Sequence, residues 1–425
     1  MKYSKIIFAV VFGIALMLSN SSFAQHEGDN HGTEEHADHA VADEFNAGET
    51  AFHHIADANV YSIGPLQLPL PCILYDKDRA KWSMFMSSAF HIHGAHGDGY
   101  HAVDGYVLNG GTVMKIKNPT QAMLDGHGVK IADQSNHHPF SHETTDGVYT
   151  DYFMSEGTKY ELVKKSTLDG GLFGGGLTSY YDFSLTKNVV SMIIVCALLL
   201  WLFISIANMY KRNVGKAPTG KQGFIEPMFV FIQDEVAKPF LGKKWKKFLP
   251  FLMTLFFFVL GLNLWGQVPF FGGANVTGNL AVTMVLALAA FIVTNINGNK
   301  HYWEHIFWMP GVPAWVKTIL TPVEFLGVFI KPLTLMLRLF ANITAGHMVV
   351  IIFVGLIFIF GESGKNVGAG LGTSVGSTLL TVFMMSIELL VAFIQAFVFT
   401  ILTASYIGAA IEEHHHDEDA HAHAH

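Results

Sequence analysis

The second half of this chain is a series of apolar runs long enough to cross a bilayer, and that limits what it can fold into. The runs at 189–209, 248–268 and 280–296 contain no charged residue. A helix needs about 20 apolar residues to span about 30 Å of hydrocarbon. Two longer runs, about 319–360 and 375–411, are interrupted by Lys331, Arg338, Asn342, His347, Glu388 and Gln395. Composition agrees, with 51% hydrophobic and 14% charged among 425 residues. A soluble domain carries about 25% charged residues. A net charge of −8 argues against nucleic acid as a partner. Two cysteines, Cys72 and Cys196, are too few for a disulfide scaffold or a four-Cys zinc site. The expected fold class is a polytopic α-helical membrane protein with about five membrane helices.

The N-terminal part reads differently. Residues 1–24 pair a basic start with a short apolar run and end in Ser22-Phe23-Ala24, the pattern of a cleaved signal peptide. Residues 25–44 are a His- and acid-rich segment with almost nothing to bury, expected to be disordered. Residues 45–180 form an extracytoplasmic extension with its linker. Stretches at 60–63, 106–116 and 149–153 look like short strands, so a small β-rich region is expected. The membrane domain covers 181–411, and a His-rich tail fills 412–425.

Lys and Arg set the orientation. Nine of them crowd 211–247, and Lys300 and Lys317 lie in 297–318, so both stretches are placed in the cytoplasm. The loop 269–279 has none and 361–373 has only Lys365, so both are placed outside. The N-terminus is then periplasmic and the C-terminus cytoplasmic.

Charged side chains inside a membrane are costly, about 2.5–3.5 kcal/mol each on insertion scales, and point to function. Here they gather on the last two helices. Thr334, Arg338 and Asn342 fall at i, i+4 and i+8, a single stripe. Glu324, 14 residues before Arg338, lies within about 40° of that face and toward the inner side. His347, nine residues after Arg338, points to the opposite face, about 13 Å nearer the outside. Glu388 and Gln395 share one face of the last helix. If the two helices form an antiparallel hairpin turning near residue 367, Glu388 comes level with His347 and Gln395 with Arg338.

Arg does not lose its proton in a protein, so Arg338 is a fixed cation. His347 and Glu388 titrate and suit an ion or proton relay. A fixed cation between an outer and an inner polar path blocks leakage. The species able to cross it is a carboxylate carried on another protein. Individually, Thr334, Asn342 and Gln395 are equally consistent with polar contacts that join helices.

The string PLTLMLRLFANITAGH at 332–347 and the string ELLVAFIQAFVFTILTASY at 388–406 resemble the signature helices of subunit a of F-type ATP synthases. The resemblance covers roughly 180–413 and, more loosely, His53-His54-Ile55. It implies a rotary stator with two offset proton half-channels and a long, tilted final hairpin. Arg338 would face the c-ring and its essential carboxylate. Asn342, His347, Glu388 and Gln395 would line the outer path, and Glu324 the inner one. It further implies a peripheral-stalk b subunit as partner, a bacterial inner membrane, and no cofactor. Two departures stand out. The His347–Glu388 pair is exchanged relative to some bacterial members, and Asn279 stands where an acid is common.

No P-loop GxxxxGK[ST] is present, so nucleotide chemistry is not expected in this chain. The His-rich ends suggest a rival reading as a metal-ion transporter or metal-handling protein. Against it, the membrane helices offer only His347. A secondary transporter would need two related halves, which are not apparent.

Overall fold

A computed structural model describes residues 56–412, apart from 64–65, 94–96, 125, 127, 133–138, 146–147, 164–178, 269–273, 310–312 and 362–365. The expected signal peptide, the acid- and His-rich segment, the His53-His54-Ile55 match and most of the tail lie outside these residues.

The N-terminal region is β-rich, as its alternating short runs suggest. A three-stranded antiparallel sheet orders Tyr180–Asp182, Pro71–Asp76 and Lys81–Met86. A five-stranded sheet orders Phe140–Thr145, Val148–Ser155, Thr158–Val163, Thr112–Ile116 and Tyr106–Asn109. Cys72, Leu74, Tyr106, Val113 and Tyr180 bury a shared core between them. Tyr180 donates its hydroxyl to the Val113 carbonyl at 2.8 Å. Burial pushes the Cys72 thiol up to about 12, so it behaves as a small apolar group.

A buried ion network clamps the two sheets. Lys115 Nζ lies 2.8 Å from Asp76 Oδ1, and Arg79 Nε 2.5 Å from Asp76 Oδ2. Arg79 Nη1 and Lys81 Nζ both reach Asp104 Oδ1, at 3.1 and 3.0 Å. Burial alone would raise the Asp76 carboxyl, but Lys115 and Arg79 outweigh it and hold the group below its ordinary value. A carboxyl depressed in the folded state stabilises above its unfolded value and loses that contribution as pH falls toward the folded one. Amide protection in Thr112–Ile116 of the full chain should therefore fall as pH drops below about 4. An Asp76→Ala variant should lose about 3 kcal/mol of local stability at neutral pH and flatten that dependence. Hydrogen exchange measured across this range checks both.

The membrane part has eight helices among the described residues: α1 (Lys187–Arg212), α2 (Lys221–Phe231), α3 (Lys238–Leu241), α4 (Trp245–Gln267), α5 (Leu280–Ile296), α6 (Lys300–Phe307), α7 (Ala314–Phe360) and α8 (Val367–Ile411). Among the described residues, four stretches are long and apolar enough to span a membrane, or five if the bent α5–α6 pair is one span. α5 has the bounds its apolar run predicts. Its N-cap is Asn279, whose side chain accepts from Ala281 N at 3.0 Å. The residue that departs from a common acid thus caps a helix, a role Asn fills well.

The stretch 211–247, expected as a Lys-rich loop, is largely helical. A π turn, Ile232–Ala237, joins α2 to α3, and buried Ile232, Val236 and Leu241 pack with Ala404 and Ile407 of α8 in the membrane core. Its lysines obscured this apolar side. The reversal between α7 and α8 falls at 361–366, a few residues before the expected turn at 367.

Only 17% of the most apolar stretch of α7 and 28% of that of α8 are buried, against 61% for the segment containing α4. α4 and α5 therefore form the interior, and α7 and α8 lean on it with wide faces left open.

Candidate functional site

The site lies on the α7–α8 hairpin, and each residue follows from its place on those helices. Thr334, Arg338 and Asn342 are all exposed, together on the open face of α7. Apolar Leu333 and Leu337 stand beside them, 48% and 46% exposed. Thr334 donates to the Ile330 carbonyl at 2.9 Å, one turn back. Arg338 makes no ion pair or hydrogen bond among the described residues. A guanidinium on an apolar surface without a counter-charge is costly in lipid, so this face calls for an anionic partner.

His347 and Glu388 lie within the hairpin instead. His347 Nδ1 is 2.6 Å from Glu388 Oε1, with 12% and 6% of their side chains exposed. Gln395, two turns along α8 on the same face as Glu388, is buried too. Glu324 is half-buried near the other end of α7, and its Phe325 neighbour packs on Phe329. The structure thus brings His347 and Glu388 into contact, leaves Arg338 and its stripe facing outward, and sets Glu324 apart.

Two glycines make room for the pair. A Cβ on Gly266 of α4 would sit 3.3 Å from His347 Nε2 and 3.0 Å from the Ala274 carbonyl. A Cβ on Gly346 would sit 3.2 Å from Glu388 Oε1. A larger side chain must displace the pair. Gly266→Val should slow proton transfer across membrane vesicles by about tenfold or more, because small misplacements of reacting groups cost heavily. The amount of chain in the membrane should stay unchanged. Proton transfer assayed beside a quantitative blot separates the two effects.

Polar residues of α4 hold α8 in place. Gln267 Nε2 donates to the Glu388 carbonyl at 2.8 Å, and Asn263 Nδ2 to the Ala392 carbonyl at 3.1 Å. Asn263 Oδ1 accepts from Thr277 Oγ1 at 2.8 Å. These donors fix the turn that carries Glu388. Sequence reasoning passed over them, although Asn263 and Gln267 at i and i+4 in a Phe-rich span were a signal.

Among the described residues, no group of three or more His, Cys, Asp or Glu is placed to hold a metal ion.

Fold and site together define a polytopic α-helical membrane protein whose last hairpin carries a fixed cation on its open face and a titratable pair within it. Residues 189–408 match the family described as ATP synthase A chain. The ATP synthase subunit a of Chloroherpeton thalassium is 40% identical over 250 residues, covering 57% of this chain and 72% of the relative. ATP synthase subunit a 2 of Prosthecochloris aestuarii is 36% identical over 298 residues, covering 68% and 87%. The ATP synthase subunit a of Myxococcus xanthus is 38% identical over 260 residues, covering 60% and 80%. The chain belongs to the ATP synthase A chain family. Residues 50–142 match a second family, a domain of unknown function.

Proposed function

We infer that this chain is the membrane stator subunit of a rotary F-type ATP synthase, coupling proton flow to rotation of a c-ring and so to ATP synthesis. It works against that ring within the synthase complex, and as a multi-pass protein of the bacterial inner membrane it would have a periplasmic N-terminus and a cytoplasmic C-terminus. A peripheral-stalk b subunit would hold it still. The metal-handling alternative is not favoured, since the relatives bear the name of a synthase subunit.

A proton enters along the outer path, relayed by His347 and Glu388 with Asn342 and Gln395 nearby, and neutralises a rotor carboxylate. The neutral site turns into lipid, which a charged carboxylate could not enter cheaply. After nearly a full turn it reaches the inner path by Glu324. Arg338 favours the charged carboxylate and drives release of the proton, and as a fixed cation it blocks direct leakage between the paths. Thr334 supports the same face.

The observation that carries this reading is the contrast in placement, with Arg338 outward and without an ion pair among the described residues while His347 and Glu388 touch within the hairpin. The test is cross-linking in the assembled complex. Ala341 is exposed one turn from Arg338. An Ala341→Cys chain should form a disulfide with a cysteine placed one turn from the essential carboxylate of the c subunit. Absence of that product, with the complex intact, would contradict the reading.

A further inference from the structure

The three-stranded sheet of the N-terminal domain carries large apolar side chains on its outward face as well as its inward one. Its inward residues, Cys72, Leu74 and Tyr180, fill the core. The alternate positions face out, where an antiparallel sheet of a soluble domain is ordinarily polar. Here they carry Trp82, Met84 and Met86 on one edge strand, 53%, 70% and 44% exposed. Ile73 stands opposite Met84 in the register. Phe183 and Leu185, 46% and 37% exposed, extend the other edge, their amides donating to the carbonyls of Ile73 and Pro71 at 2.8 and 3.2 Å. Trp82 ties the strands together, its ring 5.0 Å from Tyr75 and 5.7 Å from Phe183. An exposed apolar patch of this kind marks a protein or membrane contact.

Chain connectivity decides what covers it. Leu185 is two residues from Lys187, where the membrane-spanning helix α1 begins. The junction is fixed: Lys187 N donates to the Ala58 carbonyl at 2.7 Å, and Asn188 N to Asp57 Oδ1 at 3.1 Å. α1 has 26 residues, about 39 Å at 1.5 Å each. About 30 Å of that lies in hydrocarbon, so the sheet stands at most about 10 Å beyond it, at headgroup depth. Trp, Tyr and Met side chains on a rigid sheet suit that layer, where aromatic rings are enriched.

We propose that this sheet face lies in the lipid interface of the membrane surface where α1 begins, and holds the N-terminal domain flat against the bilayer. The occupant is lipid, not another subunit.

Spin labels on the full chain, in the assembled complex reconstituted into lipid nanodiscs, test this. Met84→Cys and Met86→Cys each carry the label, with the unsubstituted chain as background. Ile204→Cys on exposed α1 serves as the lipid control and Lys159→Cys on an exposed strand as the water control. Collisions with dissolved oxygen, relative to a water-soluble nickel chelate, should rise several-fold at both Met positions over Lys159→Cys, toward the Ile204→Cys value. A ratio matching Lys159→Cys would overturn the proposal in favour of water. Shielding from both reagents would overturn it in favour of a protein partner. Both Met positions are well exposed, so the substitutions leave the core untouched, and agreement between the two guards against a local disturbance at either.

Discussion

Exchanging His347→Glu and Glu388→His together should restore proton-driven ATP synthesis that either change alone destroys. The two side chains touch, Nδ1 to Oε1 at 2.6 Å, and both are largely buried. His347→Glu sets two carboxylates side by side, and like charges at this distance cannot both ionise. Glu388→His sets two imidazoles together and removes the acid. Each single change should lower synthesis by about 100-fold, the scale at which a positioned acid or base contributes. The exchange keeps one imidazole and one carboxylate at the same contact, so the double variant should recover at least about tenfold over the better single one. Synthesis driven by an imposed proton gradient in vesicles, normalised to assembled complex, gives the comparison. Strictly additive losses would show that the residues act separately.

The largest single effect is expected at Arg338. It is the only arginine beyond residue 212. It sits on the open face of α7, and among the described residues nothing in the chain neutralises it. Placing a permanent cation there is unfavourable unless an anion arrives from outside. An Ala at this position removes both functions proposed for the charge, release of the proton from the arriving carboxylate and the barrier between the two paths. A Lys is a poor replacement, since it sheds its proton readily when desolvated.

Much of the membrane architecture was legible because span length is a direct consequence of bilayer thickness. α5 emerged with the bounds of its apolar run, and the ends of α1 and α4 fall within three residues of theirs. The His347–Glu388 contact was legible for a related reason. In an antiparallel pair of helices, level is set by distance from the turn, and two polar pairs agreed on one turn. The contact survives although the turn itself falls earlier, which the Gly-rich connection had obscured.

What the sequence hid has a physical cause in each case. Gln267 and Asn263 bond to backbone carbonyls of α8, and a carbonyl leaves no mark in a sequence. Gly266 and Gly346 matter only through what lies against them. The helices in 221–241 bury one apolar side, hidden by the nine Lys and Arg of the wider stretch 211–247. In the N-terminal domain, separate strands were visible, but pairings such as Tyr180 with Asp76 join residues far apart in the chain. The outward apolar face of that sheet follows from register and could not be read from any one strand.

The central claim is that Arg338 on the open hairpin face governs proton transfer to a rotor. It is tested most directly by ATP-driven acidification of inverted vesicles holding the assembled complex with Arg338→Ala. The account predicts that acidification falls to the level of vesicles made fully leaky by an uncoupler, with the complex still assembled. Pumping near the unsubstituted rate would contradict it.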